Sequence, residues 1–298
     1  MDCQDIERLF SSGVASDLLS VYERADLESL IRWMRNRPTA QIKIREVEGD
    51  SEVVVVIPTA DSEGSFAKRA ASLYKGLHVV LVESRGQFFN YARSVNAGLR
   101  RAVELSPRWV VVSNDDLLRA DPTQVLLQEL STSTRSLIMA SPSSYHTYRV
   151  SLVEPSMTFL KGMRIVGKLL SLAPAEVYGE LVPRFKDKFH VRFMVAVDSM
   201  MGPMKRFAGK VADSLWNAGS FMVLSRRVIT QNTLDETFIN GYEDVLLSMR
   251  FRDDKEIIRY SLEEMKGGSL GFGRMRFLRN FVNEIYLNYL LTETRSET

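Results

Sequence analysis

Apolar residues in this chain fall into two kinds of run, and they alternate. Short, continuous apolar runs occur at Val53–Ile57, Val79–Val82, Trp109–Val112 and Leu137–Ala140, the first three rich in β-branched residues. Between them lie amphipathic stretches with apolar residues three and four apart: Ser65–Tyr74, Phe88–Leu105 with Val95, Leu99, Ala102 and Val103 inward, and a helix running to Leu130. There Asp121-Pro122 reads as N-cap and first helical residue. Continuous apolar strands separated by amphipathic helices predict an α/β fold with a mostly parallel, doubly wound sheet flanked by helices. Residues 1–50 read as a helical extension: Leu9, Val14, Leu18, Leu19, Val21 and Tyr22, then Leu27, Leu30, Ile31 and Met34, recur at helical spacing until Arg37-Pro38.

The alternation breaks between Ser141 and Asn217. Met157–Leu170 can be drawn as a helix with Lys161, Arg164 and Lys168 on its polar side, and a second basic stretch, Arg184–Lys188, follows. Regular patterning resumes with a strand at Gly219–Leu224 and closes on an Arg-rich amphipathic helix, Arg274–Leu291. The expected organisation is therefore an extension at 1–50 and one domain at 51–298. That domain divides into a first half at 51–140, an insert at 141–216 and a closing segment at 217–298.

The 298 residues are enough to bury a sizeable core, and the formal net charge of +2 gives no global field that would recruit nucleic acid. The single cysteine, Cys3, excludes an internal disulfide framework and a Cys-ligated zinc site. The start, Met-Asp-Cys-Gln-Asp, lacks a basic-then-apolar signal pattern, and no apolar stretch reaches the roughly 20 residues that cross a bilayer. A cytoplasmic protein is expected. Its basic amphipathic stretches at 157–170 and 274–279 are either solvated faces of packed helices or surfaces that contact the inner face of an anionic membrane or grip a lipid-diphosphate acceptor.

Three strands end in polar loops on what should be one edge of the sheet: Pro58-Thr59-Ala60-Asp61, Glu83-Ser84-Arg85-Gly86 and Asn114-Asp115-Asp116. Ligands of open parallel sheets lie across these carboxyl ends. Thr59, Asp61 and Glu83 can hydrogen-bond a base and ribose, and adjacent carboxylates at 115 and 116 supply hard oxygen ligands for Mg²⁺ or Mn²⁺ on a diphosphate. Taken singly, each loop is also what an ordinary Asp or Asn turn looks like. A later acidic pair, Glu243-Asp244 after Gly241-Tyr242, can provide a base or simply favour a helix N-terminus. Gly267–Gly273 is glycine-rich but is neither a Walker loop nor a dinucleotide fingerprint, and reads as a flexible loop or a lid. His78, His146 and His190 have no ligand spacing.

Residues 52–116 resemble the donor-binding half of family 2 glycosyltransferases, the inverting enzymes of the GT-A fold. The resemblance is carried by Val-Ile-Pro-Thr at 56–59, by Asn90–Gly98 with its closing Asn96-Ala97-Gly98, and by Ser113-Asn114-Asp115-Asp116, which is similar to the DxD-type metal motif. It continues in Asn217–Met222 with Arg226-Arg227, in Leu234–Phe238 and in Gly241-Tyr242-Glu243-Asp244. The resemblance covers about residues 52–140 and 217–270.

It implies a nucleoside-diphosphate sugar donor and a glycan or lipid-linked acceptor. Asp116 with Asp115 would hold Mn²⁺ or Mg²⁺, and Pro58, Thr59, Asp61, Glu83, Asn96, Asn114 and Asp115 would contact the donor. Asp244 would be the catalytic base with Glu243 beside it. The chain departs from the pattern at Glu263–Ser269, where the histidine that completes the metal site in the family is absent and Glu264 or water would replace it. The loop at 83–86 is also shorter than the family's. The missing histidine motivates a second expectation, a catalytically silent GT-A-like module that binds nucleotide or a partner protein. A sugar-phosphate nucleotidyltransferase would need a glycine-rich basic loop after the first strand, and Pro58–Ser62 lacks it.

Overall fold

The computed structural model describes residues 1–141, 147–153, 158, 165, 193–196, 211–217, 219–265 and 276–296. Three short helices open the chain: α1 (Cys3–Phe10), α2 (Ala15–Arg24) and α3 (Leu27–Arg35). Asp2 and Asp26 cap the first and third, each carboxylate accepting a backbone N–H at 2.8 Å from Asp5 and Ser29 respectively. The strands and helices that follow are β1 (Lys43–Val47), β2 (Asp50–Thr59), α4 (Ser65–Leu73), β3 (Leu77–Glu83), α5 (Tyr91–Glu104), β4 (Trp109–Ser113), β5 (Leu117–Ala120), α6 (Thr123–Thr132) and β6 (Leu137–Met139). Then come β7 (Thr147–Val153), β8 (Phe193–Ala196), β9 (Val211–Asn217), β10 (Phe221–Ser225), α7 (Glu243–Arg250), β11 (Lys255–Ile257), β12 (Leu262–Glu264) and α8 (Arg276–Ser296).

Seven strands form one mixed sheet in the order β1-β3-β2-β4-β10-β6-β11. β3, β2 and β4 are mutually parallel, and so are β6 and β11; β1 and β10 run antiparallel to their neighbours. The chain is thus α/β, with a mostly parallel sheet flanked by helices. β2 lies between β3 and β4, so both faces of its apolar run are covered. Val53, Val55 and Ile57 pack with Ala67, Ala70, Leu126 and Leu130 from α4 and α6, whereas Val54 and Val56 pack with Ala92, Val95, Leu99 and Ala102 from α5. Gly98 permits α5 to lie this close: a Cβ there would stand 2.2 Å from Val56 Cγ1 and 2.9 Å from Val82 Cγ2. A two-stranded ribbon, β5–β12, and a three-stranded sheet, β8-β7-β9, complete the strand pairings among the described residues.

Several expectations change. The N-terminal segment is helical only as far as Arg35, and Lys43–Val47 forms an edge strand of the main sheet. Nor do its helices stand apart. Ile6, Phe10, Leu18, Leu30 and Trp33 share one core with Phe238, Val245, Leu278, Phe281 and Ile285 from the C-terminal segment. This packing also accounts for the Arg-rich terminal helix: Leu278 and the run Phe281–Asn288 are buried in the protein, so the apolar side of α8 faces the core. α5 begins at Tyr91, capped by Asn90, whose side chain accepts the Arg93 N–H at 2.9 Å. α6 begins at Thr123, and Asp121 does not cap it; its carboxylate accepts the Ser261 N–H at 2.8 Å and ties the loop to the β12 side. Apart from Thr158 and Ile165, the basic stretch 157–170 lies outside the described residues, as do 184–188, the glycine cluster 267–273, His146 and His190. Among the described residues, no helix is long and apolar enough to cross a membrane.

Candidate functional site

The parallel strands β2, β3 and β4 deliver their C-terminal ends to a cleft of about 560 Å³. Its floor carries Pro58, Thr59, Ser84, Arg85, Asn114, Asp115 and Asp116. Gly219 and Ser220, which precede β10, join it, as do Asn240 and Glu243 ahead of and within α7. Phe10, Ser11, Arg37 and Arg279 close one side, so the N-terminal helices and α8 form a wall of the site.

Asp115 is held by the neighbouring loop: Thr59 Oγ1 donates to its Oδ2 at 2.6 Å. Burial pushes its carboxyl above the ordinary range, against that hydrogen bond and the positive field of Arg69, which pull it down. A cation at this position would favour the ionised form. Asp116 follows on the same turn, and its carbonyl accepts the Met265 N–H at 2.9 Å. The β5–β12 pairing sets Glu264 opposite Leu117, next to Asp116 in the chain. Among the described residues, no group of three or more His, Cys, Asp or Glu lies close enough together to hold a metal. Paired carboxylates of this kind fit Mg²⁺ or Mn²⁺ shared with a diphosphate, because such ions are commonly bound through one or two carboxylates, substrate phosphates and water.

The opposite acidic element is built by strained backbone. Asn240 and Tyr242 both occupy the left-handed region, with φ of 50° and 74°, an arrangement that costs on the order of 1–3 kcal/mol per residue and persists only when its surroundings impose it. The surroundings are identifiable. Asn240 Oδ1 accepts the Tyr91 N–H at 2.8 Å and its Nδ2 donates to Phe89 O at 3.0 Å. Tyr242 donates its hydroxyl to Glu284 on α8. Gly241 lies so near α8 that a Cβ would stand 2.7 Å from Asn280 Oδ1. This turn starts α7 at Glu243, which lines the cleft at only 6 % exposure. Its Oε2 has no hydrogen-bond partner among the described residues. Burial, reinforced by the adjacent Asp244, pushes the Glu243 carboxyl up to about 8.

Asp244 points elsewhere. Its Oδ2 accepts the Gly219 N–H at 2.9 Å and its Oδ1 the Val245 N–H at 2.8 Å. Tyr91 grips the same turn from the other side by donating its hydroxyl to Gly219 O. The Tyr91 phenol is raised well above its ordinary range, first by burial and then by the negative fields of Glu243, Asp244, Asp116 and Glu264. The Tyr91 phenol thus lies within the electrostatic reach of all four acids.

Pro58, Thr59, Asn114, Asp115, Asp116 and Glu243 therefore meet in one cleft, with Asp244 immediately behind Glu243. Three expected donor contacts do not line it. Asn96 is fully buried; its amide holds Leu234 through both backbone groups and reaches Glu236, so it clamps the 234–236 loop to α5. Glu83 accepts the backbone N–H and the hydroxyl of Ser62, which hold its carboxyl below the usual range. Asp61 forms a local turn, accepting the Glu63 N–H at 2.9 Å. His78 pairs with Glu46 at 2.8 Å near the sheet edge. Sequence reasoning did not single out Tyr91 or Arg37, whose signal is only tertiary, whereas Arg279 falls in the basic stretch 274–279 that it did.

A second, shallower cavity lies across the opposite edge of the sheet between Ser51, Glu52, Ser106, Pro107, Arg108, Arg226 and Arg227. It lacks the convergent carboxylates of the first. Comparison of the chain with models of known families, with curated proteins and with solved structures finds no match.

Proposed function

We propose that the chain is an inverting glycosyltransferase of the GT-A fold that moves a sugar from a nucleoside-diphosphate sugar to an acceptor hydroxyl. The resemblance of residues 52–116 and 217–270 to family 2 glycosyltransferases motivates the reading. One structural observation supports it most: Asp115-Asp116 at the end of β4 and Glu243 at the start of α7, far apart in sequence, line the same cleft at the carboxyl edge of the sheet. Parallel sheets bind nucleotides at this edge.

In this reading the diphosphate lies over Asn114–Asp116, with the nucleoside towards Pro58-Thr59. Asp115 and Asp116 would hold Mn²⁺ or Mg²⁺, which when bound neutralises charge on the departing diphosphate. The base is Glu243 rather than Asp244, because Glu243 faces the cleft and its proton affinity is poised near working pH. As the acceptor oxygen attacks the anomeric carbon, Glu243 takes the hydroxyl proton. The new C–O bond forms on the face opposite the breaking bond to the diphosphate, and the configuration inverts. Asp244 and Tyr91 act as positioning residues, fixing Gly219 from its N–H and its carbonyl.

The test is turnover of a panel of nucleotide sugars with Mn²⁺ and Mg²⁺, measured as donor hydrolysis and as transfer, by the wild-type chain and by Glu243→Gln. Turnover that falls by about two to four powers of ten in the variant supports the assignment. Donor binding without turnover under all conditions would make the chain a silent nucleotide-binding module. Near-normal turnover by Glu243→Gln with a dead Asp244→Asn would return the base to Asp244.

A further inference from the structure

The side of the cleft formed by the N-terminal helices and α8 is lined by arginines, in contrast with its acidic floor. Arg37 follows α3 and lines the cleft, yet its side chain is only 11 % exposed. Its Nε and Nη2 donate to the two Glu7 oxygens at 2.8 and 3.0 Å. Its guanidinium lies 5.7 Å from the Phe10 ring centroid, 5.9 Å from Trp33 and 5.5 Å from Phe88. Glu7 is itself fixed by Trp33 Nε1 at 3.0 Å and Ser11 Oγ at 2.6 Å. The guanidinium is therefore locked in one orientation before any ligand arrives, which reduces the entropy that binding must overcome.

Arg279, on α8, comes to the same place. Its Nη2 donates to Ser12 O at 2.9 Å, just beyond the end of α1, and it too lines the cleft. Burial depresses Arg279, and Arg37 acts in the same direction against the opposing effect of Tyr22. A third arginine, Arg85, is exposed on the loop after β3, and that loop is pinned to the helices by Gln87 Nε2 donating to Ser11 Oγ at 2.9 Å.

We propose that Arg37, Arg279 and Arg85 form an anion-binding pole of the cleft that takes a phosphate or diphosphate group. The ligand source is either the donor's own diphosphate or a phosphate carried by the acceptor. The inference leans on the proposed reaction only for that source; phosphate binding itself needs no group transfer. It also gives the N-terminal helices a role: they deliver Arg37 and the end of α1 to the site.

The experiment is calorimetric titration of the full-length chain, in EDTA, with three probes: inorganic pyrophosphate, a nucleoside diphosphate and farnesyl phosphate. Arg279→Gln and Arg85→Gln are compared with wild type after circular dichroism shows that each is folded. Arg37→Lys is added because it keeps the charge but breaks the two-point contact with Glu7. Wild type should bind pyrophosphate, more weakly as salt is raised. Arg279→Gln should weaken binding by about tenfold or more, the usual worth of a charge-assisted hydrogen bond, with a smaller loss for exposed Arg85→Gln. Equal losses for pyrophosphate and the nucleoside diphosphate identify the donor as the source. Losses confined to pyrophosphate and farnesyl phosphate identify the acceptor. Absence of pyrophosphate binding by wild type, or folded variants that bind as wild type does, overturns the proposal. A chain that binds phosphate through these arginines and transfers no sugar keeps this inference and loses the proposed reaction.

Discussion

Replacing Glu243 by Gln should make the fold more stable than wild type at pH 8–9 and leave the two nearly equal at pH 4. In the folded chain burial and the neighbouring Asp244 raise the Glu243 carboxyl from 4.5 to about 8. Between these values the folded chain holds a proton that the unfolded chain has released. Stability therefore falls as pH rises through that window, and the contribution is fully present only below the unfolded value. A rise from 4.5 to about 8 corresponds to at most about 5 kcal/mol. Structural relaxation and water entry around an ionised Glu243 reduce the measured effect, so about 2–3 kcal/mol is the working expectation. Gln has nearly the same shape and carries no charge at any pH, so it removes this loss. Urea unfolding of both chains from pH 4 to pH 9 measures it. Parallel pH profiles for the two chains would refute the reasoning, because they would mean that Glu243 ionises in the folded chain at no unusual cost. The same substitution should lower turnover, so stability and activity would move in opposite directions, as expected when a site holds a group in an unfavourable environment.

Other consequences can be checked independently. In wild type, kcat/KM should rise with pH and level off above about 8, since it reports the base of the free enzyme; a flat profile would remove Glu243 from that role. Asp116→Ala should abolish the Mn²⁺-dependent part of nucleoside-diphosphate binding in calorimetry while thermal unfolding changes little, and unchanged affinity counts against the metal assignment. Tyr91→Phe removes the hydroxyl that holds Gly219 O, which should cost about 1–2 kcal/mol in urea unfolding; a variant as stable as wild type would show that the turn does not need it. Gly98→Ala should destabilise by about 1–3 kcal/mol through overpacking, and Val56→Ala in the same chain should recover part of that loss if the clash lies where the backbone places it.

Much of this architecture can be read locally. Val53–Ile57 and Trp109–Val112 are continuous β-branched runs because both faces of β2 and β4 are buried, and buried parallel strands have that signature. β1 has no such signature. It pairs only with β3 at the sheet edge, and Lys43, Ile44, Arg45 and Val47 are all exposed, so no alternating apolar face marks it. The ribbon β5–β12 is legible for neither strand alone, since its partners are separated by the whole insert. The site divides in the same way. Asp115, Asp116 and Glu243 are apparent in sequence because acids that end a strand or open a helix are local patterns. Asn96 misleads, because a buried amide clamping a loop and a ligand contact look alike in one dimension. Arg279 reaches Ser12 across 267 residues and Tyr91 reaches Gly219 across 128, so their roles exist only once the chain has folded.

The central claim is that the carboxyl-edge cleft is the nucleotide site, and a crystal structure of the chain soaked with a nucleoside diphosphate and Mn²⁺ tests it most directly. Manganese anomalous signal should appear against Asp115 and Asp116, with the diphosphate in the cleft bounded by Thr59, Asn114 and Glu243. Nucleotide in the shallow cavity between Arg108, Arg226 and Arg227, with no metal at the end of β4, would contradict it.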